Sequence, residues 1–280
     1  MGPGVSRGYI LWRPSWCQVY LLSDNQLFAC FLCRNRCTAM IYDCPVLRQY
    51  WPQSGCIFAG LQVLIVLAML VSVNWSLALR PLLRKYRGRK HPLAYHNNYQ
   101  LLVLVVLSAQ SADEHINALA PALFKAFPNM SALLRSSREG LFPYISKVRN
   151  FGHKAEWLIA IAQQVKKDSH IPLTLEGLTT LPGIGRKSAN VILREAGRPV
   201  EGVIVDLHVV RVAQRLGIVE EDDPKKIEKH LMEILPKRQW EAGMAMSFLG
   251  REICHPKPAC PKCLMRKVCG YYHKNFGDRP

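Results

Sequence analysis

The sequence predicts an all-α fold. Three observations carry that expectation. Apolar residues beyond position 90 recur with the helical period, no stretch alternates as a half-buried strand would, and helix-ending residues stand where the periodic stretches stop.

Along the chain, Gln100 to Leu107 (QLLVLVVL) is apolar on every side, which suits a central buried helix. Residues 113–127 bring Ile116, Leu119, Ala120, Leu123 and Phe127 onto one stripe, and residues 153–166 do the same with Leu158, Ile161, Ala162 and Val165. A short helix is expected from Thr174 to Thr180, and another from about Arg186 to Ala196, ended by Gly197. A helix over 207–216 should close at Gly217. Asp223 followed by Pro224 reads as a cap with proline in the first helical position.

The 280 residues are 49% hydrophobic and 20% charged, a globular composition rather than a disordered one. With 37 Lys+Arg against 20 Asp+Glu, the formal charge is +17. Such a surplus concentrates polyanions near the surface, so nucleic acid leads the partner classes; membrane surfaces and acidic proteins feel the same field. The charge is uneven. Residues 1–68 hold five arginines, two acids and no lysine, leaving 32 basic and 18 acidic residues in the other 212. Cysteine divides likewise: Cys17, Cys30, Cys33, Cys37, Cys44 and Cys56 lie in front, and Cys254, Cys260, Cys263 and Cys269 cluster near the end. Residues 1–68 are therefore expected to be an extension outside the folded body.

From Cys56 to Leu79 the chain is mostly apolar, with Arg80, Arg84, Lys85, Arg87 and Arg89 behind it, long enough to span a bilayer. Gln62, Ser72, Asn74 and Ser76 interrupt the run, so a membrane anchor over 56–79 is the lesser reading. In the other reading Met69 is the true start, and MLVSVNWSLALRPLLRKY forms a short amphipathic helix with Leu77, Leu79, Leu82 and Leu83 toward the core. The Cys30-x2-Cys33-x3-Cys37 spacing fits no metal pattern we can justify.

The most informative segment is Leu181-Pro182-Gly183-Ile184-Gly185-Arg186-Lys187-Ser188-Ala189-Asn190. Pro182 stops the first helix, and Gly183 and Gly185 permit positive φ and close backbone approach. The N–H groups of the turn and the positive end of the next helix then face outward together, a site for one phosphate oxygen. Lys187 falls in the first turn of that helix, where the helix end disfavours a charged ammonium; taken alone, it reads better as a second phosphate-binding cation. Asp206, in Val203-Ile204-Val205-Asp206-Leu207-His208, follows an apolar run and precedes a helix. It can serve as an N-cap, or as a rigid, partly desolvated carboxylate facing a developing sugar cation. Cys254-x5-Cys260-x2-Cys263-x5-Cys269 offers four thiolates for zinc or an iron–sulfur cluster, and spacing alone does not choose between them. Lys257, Lys262, Arg266 and Lys267 make the same loop basic.

The LLVLVVLSAQSAD stretch, LPGIGRKSAN, VDLH and the four-cysteine loop, in this order over roughly residues 70–272, resemble endonuclease III. The resemblance implies the two-domain helix-hairpin-helix DNA glycosylase fold with a C-terminal [4Fe–4S] loop. One domain would span 91–199, and 69–90 would join 200–280 in the other. It implies base excision repair: removal of oxidised pyrimidines, then strand cleavage by β-elimination through a lysine Schiff base. Lys187 matches the nucleophile and Asp206 its carboxylate partner. Gln110 matches the residue that fills the gap left by a flipped nucleotide. Gly183, Gly185, Arg186 and His208 fall among the DNA contacts. Cys254, Cys260, Cys263 and Cys269 match the cluster ligands. The implied partner is double-stranded DNA bearing a damaged base or abasic site. No small-molecule substrate is implied, and the chain is expected to be monomeric, bacterial in type, cytoplasmic and nucleoid-associated.

Two departures stand out. The first cysteine gap is one residue shorter than usual in the family, and Asn150 stands where better-known members carry an apolar wedge. Adenine mismatch glycosylases of the superfamily carry a catalytic glutamate where Val105 stands here, and thymine mismatch relatives usually lack the lysine. A non-catalytic DNA-binding module is the rival from another class.

Overall fold

The computed structural model describes residues 73–277 and the backbone of two strand pieces, β1 (Val19–Tyr20) and β2 (Ala29–Cys30). The strands pair antiparallel, Val19 opposite Cys30 and Tyr20 opposite Ala29. The chain divides into two units, Met1–Ser72 and Val73–Pro280. The Cys30–Cys37 run and the apolar stretch up to Ser72 lie outside the described residues, β2 backbone apart. No described helix is long and apolar enough to cross a membrane.

The second unit is helical, as periodicity predicts. Its helices are α1 (Trp75–Ala78), α2 (Arg80–Lys85), α3 (Asn98–Ser108), α4 (Asp113–Ala126), α5 (Met130–Leu134), α6 (Arg138–Ile145), α7 (Phe151–Val165), α8 (Leu175–Thr179), α9 (Arg186–Glu195), α10 (Leu207–Leu216), α11 (Pro224–Ile234), α12 (Ala242–Glu252) and α13 (Gly270–Phe276). Helix α3 is the all-round apolar segment, and every residue from Leu101 to Leu107 is buried. Burial of each large apolar side chain contributes about 1.5–3 kcal/mol, so this helix anchors the core; α4, α7 and α9 pack on it. Ile116, Ala120 and Leu123 of α4 are buried, with Leu119 and Phe127 half-buried beside them. All four stripe residues of α7 are buried. In the same unit, α12 packs on α2 and α10, and α10 also meets α11 and α13.

Local punctuation behaves as read. Gly217 ends α10 at φ 88°, and Gly197 follows α9 at φ 68°. Asp223 accepts from the Lys225 N–H ahead of Pro224. One expectation is corrected. Leu77 is 50% exposed rather than facing the core, although Leu79 and Leu82 are fully buried. Pro81 has no N–H to give the Leu77 carbonyl, so the continuous helix breaks at Leu79 and the apolar stripe turns with it.

Candidate active site

Thr174 caps α8, accepting from the Gly177 N–H at 3.2 Å, and the chain turns through Leu181–Gly185 into α9. Gly183 adopts φ +77°, and a Cβ there would lie 2.4 Å from the Trp157 ring of α7, so glycine is needed for both conformation and space. Gly185 corrects the expected pattern. Its φ of −88° is open to any residue; it is the N-cap of α9, makes no side-chain cap bond, and nothing approaches its Cβ position. The first N–H groups of α9 thus have no side-chain cap, the condition under which a helix start can take an anion. Arg186 turns away onto α11. Its Nε donates to Glu228 at 2.9 Å and a terminal nitrogen to the Glu201 carbonyl at 2.6 Å.

Lys187 is the second residue of α9 and is reached by solvent. Desolvation by surrounding protein pulls its amine below the ordinary lysine value, and Arg251 pushes the same way. Asp206 and Asp113 oppose them. Asp206 caps α10: Oδ1 accepts from the backbone N–H groups of His208 and Val209, each at 2.9 Å. Oδ2 accepts from Ser247 Oγ at 2.6 Å, and a terminal Arg251 nitrogen lies 3.6 Å away. Burial pushes the Asp206 carboxyl up, but the Ser247 hydrogen bond, the Lys187 charge and the Val209 N–H together hold it below the usual carboxylate value. The structure thus brings Lys187 and Asp206 into one electrostatic unit from α9 and α10.

His208 stays beside this pair. Its Nδ1 is 3.1 Å from Arg211, and burial, with Arg251 and Arg211, lowers its pKa. A Cβ on Gly250 would meet the His208 side chain at 2.7 Å, so glycine on α12 lets the two helices close. Gln110 and Asn150 lie on exposed turns after α3 and before α7, at φ 58° and 57°. Left-handed backbone in non-glycine residues stores strain, a frequent mark of functional turns. Asn150 makes no cap bond to α7, which leaves its amide free. Val105 is buried within α3.

Sequence reasoning missed several side chains. Asp113 bonds Arg251 across the molecule, and His91, buried before α3, is held down to about 3 by burial and then by the Lys187 charge. Lys154 of α7 is 2% exposed and donates to the Leu107 and Ala109 carbonyls at 2.8 and 2.5 Å. Each pairs residues far apart in the chain, and no local spacing signals such a contact; only Asp113 sits in a motif already singled out.

Cys254, Cys260, Cys263 and Cys269 are free and line one small cavity with Val212, Leu216, Leu249 and Ile253. No three His, Cys, Asp or Glu side chains among the described residues close on a point that could hold a single ion. Burial raises the thiols of Cys260, Cys263 and Cys269, and nearby cysteines add to each shift. Arg215 of α10 straps the loop, donating to the His255 and Pro256 carbonyls at 2.6 and 2.9 Å.

Residues 103–237 match the HhH-GPD superfamily of base excision DNA repair proteins. Over 188 residues the chain is 37% identical to endonuclease III of Synechocystis sp., covering 66% of this chain and 86% of that protein. A trapped endonuclease III–DNA covalent intermediate, solved as an estranged-adenine complex, superposes with a TM-score of 0.66 at 29% identity. The match covers 73% of this chain and 99% of that one. A thermostable thymine-DNA glycosylase shares the fold, with a TM-score of 0.58 at 20% identity.

Proposed function

This chain belongs to the endonuclease III family, and from that membership we propose that Lys187 and Asp206 carry out its base-excision DNA glycosylase and AP lyase chemistry. The observation that carries the assignment is the protonation state the site favours for each. Both pKa values are lowered, which pulls the lysine toward the free amine and keeps the carboxyl ionised; one group can then attack while the other stays a fixed negative charge.

The uncharged Lys187 amine attacks C1′ of the damaged nucleotide. The bond from C1′ to the base breaks, and the base leaves with its electron pair. Ionised Asp206 stabilises the positive charge that builds on the sugar. Loss of the amine proton and opening of the sugar ring give a Schiff base between Lys187 and C1′. Removal of a C2′ proton then expels the 3′ phosphate by β-elimination and cleaves the strand. Oxidised pyrimidines are the lesion class we assign.

The DNA is double-stranded. Gly183, Gly185 and the start of α9 hold one phosphate; Gln110 fills the gap left by the flipped nucleotide, and Asn150 faces the orphaned base with a hydrogen-bonding amide. His208 stands beside the sugar as a neutral imidazole. The lobe of residues 91–199 and the lobe joining 69–90 to 200–280 flank the duplex. Arg186, paired with Glu228 and the Glu201 carbonyl yet exposed, shapes the hairpin and is available to the DNA backbone. The protein acts as a monomer on nucleoid DNA in the cytoplasm.

The cysteine loop fits a [4Fe–4S] cluster. Four thiols line one cavity among apolar side chains, the donor set that such a cluster takes. Cys254, Cys260, Cys263 and Cys269 would hold it, and when bound it supplies a rigid cross-link that fixes the basic loop against α10.

Borohydride trapping on a duplex containing thymine glycol tests the assignment. Wild type should form a covalent adduct and Lys187→Ala none. Absence of an adduct with wild type would refute the lyase role.

A further inference from the structure

Ser247 is a fully buried hydroxyl in the middle of α12, flanked by Met246, Phe248 and Leu249. A hydroxyl in such surroundings costs stability unless it is hydrogen-bonded. Its partner is the proposed catalytic carboxylate, Asp206 Oδ2, at 2.6 Å. One turn further along α12, Arg251 donates from Nε to Ser247 Oγ at 3.3 Å and places a terminal nitrogen 3.6 Å from Asp206 Oδ2. Its other terminal nitrogen bonds Asp113, the first residue of α4. Since Oδ1 already accepts two backbone N–H groups, both oxygens of Asp206 are engaged.

We propose that Ser247 is a positioning residue for base excision: backed by Arg251 and Asp113, its hydroxyl fixes Asp206 in one orientation with both oxygens hydrogen-bonded. The proposal rests on Asp206 being the site's carboxylate. A carboxylate bound this way is a poor proton acceptor, because each donor favours its ionised form. It acts as a fixed negative charge beside the sugar, and its rotamer does not have to be selected in the transition state. The groups facing it are Lys187 from α9, His208 from its own helix, Arg251 from α12 and His91 from the segment before α3, with Asp113 of α4 behind Arg251. Removing the Ser247 hydroxyl strips one donor from the ionised form, so Asp206 protonates at higher pH and the second, acid limb below the Lys187 inflection moves up.

The test is single-turnover base excision and borohydride trapping by the holoenzyme on a thymine glycol duplex across pH. Wild type, Ser247→Ala, Ser247→Cys and Asp206→Asn are compared, each with its Tm. Ser247→Ala should lower the excision rate about tenfold with KM little changed, as for loss of one hydrogen bond to a charged group. Its acid limb should move up by about one pH unit. Ser247→Cys retains a weak donor and should fall between Ser247→Ala and wild type. A Tm drop in Ser247→Ala with an unmoved acid limb and unchanged rate would make Ser247 merely structural and overturn the proposal. An Asp206→Asn enzyme of full activity would overturn the role of Asp206 itself, and the proposal with it.

Discussion

Lys154→Met removes a buried ammonium that serves two carbonyls at the end of α3. The side chain is 2% exposed, and its Nζ donates to Leu107 O at 2.8 Å and Ala109 O at 2.5 Å. These carbonyls stand where a helix runs out of its own donors. Methionine fills similar space but donates nothing. Water can replace the donor at Ala109, which is exposed, but not at the buried Leu107 carbonyl. One lost charge-assisted bond of that kind costs about 2 kcal/mol.

The pH dependence has a definite sign. Burial, then the Arg149 charge, pushes Lys154 from 10.5 down to about 8. Above pH 8 the unfolded chain binds a proton that the folded chain lacks, so wild type gains stability relative to the variant as pH rises. The gap should widen by about 2 kcal/mol between pH 8 and 9.5. Other groups titrate alike in both proteins and cancel. Urea denaturation of both at pH 7, 8 and 9.5 measures it. A variant as stable as wild type, or a gap that narrows with pH, refutes the reasoning. Ala109 also precedes Gln110, so the variant should lose excision rate on damaged duplex while its Lys187 remains intact.

Gly183→Ala should destabilise by about 1–3 kcal/mol, because the left-handed backbone and the Trp157 ring at 2.4 Å both penalise a Cβ; thermal unfolding reads it. The excision rate should fall as pH drops through the lowered pKa of Lys187, since protonation removes the attacking lone pair. His91 and His208 are already neutral at physiological pH, so His208→Asn should leave that inflection in place. Removing the proposed cluster by oxidation and chelation should abolish visible absorbance and lower Tm by several degrees, with the loop at 254–269 becoming the first site of protease cleavage.

How much of this could be read in the sequence depended on distance along the chain. Helix stripes, the Gly217 terminus, the Asp223–Pro224 start and the Asp206 cap are all decided within a few residues, so the pattern carries them. The split of α1 from α2 was also local, since Pro81 lies four residues after Leu77, but an apolar count treats the stretch as continuous. Ser247, Arg251, His91 and Lys154 were not legible. A serine in GMAMSFLG reads as a small residue tolerated in an apolar helix, and only the approach of α10 gives its hydroxyl a partner 41 residues away. Similarly, Lys154 in FGHKAEW looks like one more cation of a basic chain until α3 ends against it.

These unread residues bear on the chemistry of the site. A lysine beside an ionised carboxylate would ordinarily be held as ammonium, because Asp206 raises its pKa. Desolvation opposes this, and so does Arg251. The same guanidinium lies near Asp206 and thus favours the carboxylate while disfavouring a second cation at Lys187. Asp113 bonds the same guanidinium, and its own charge raises the Lys187 pKa against the other two influences. One arginine between two aspartates therefore pushes both members of the proposed pair in the useful direction. Replacing Arg251 by methionine should raise both pKa values, displacing the acid limb and the amine inflection together. A shift of only one would separate the role of Arg251 at Asp206 from its role at Lys187.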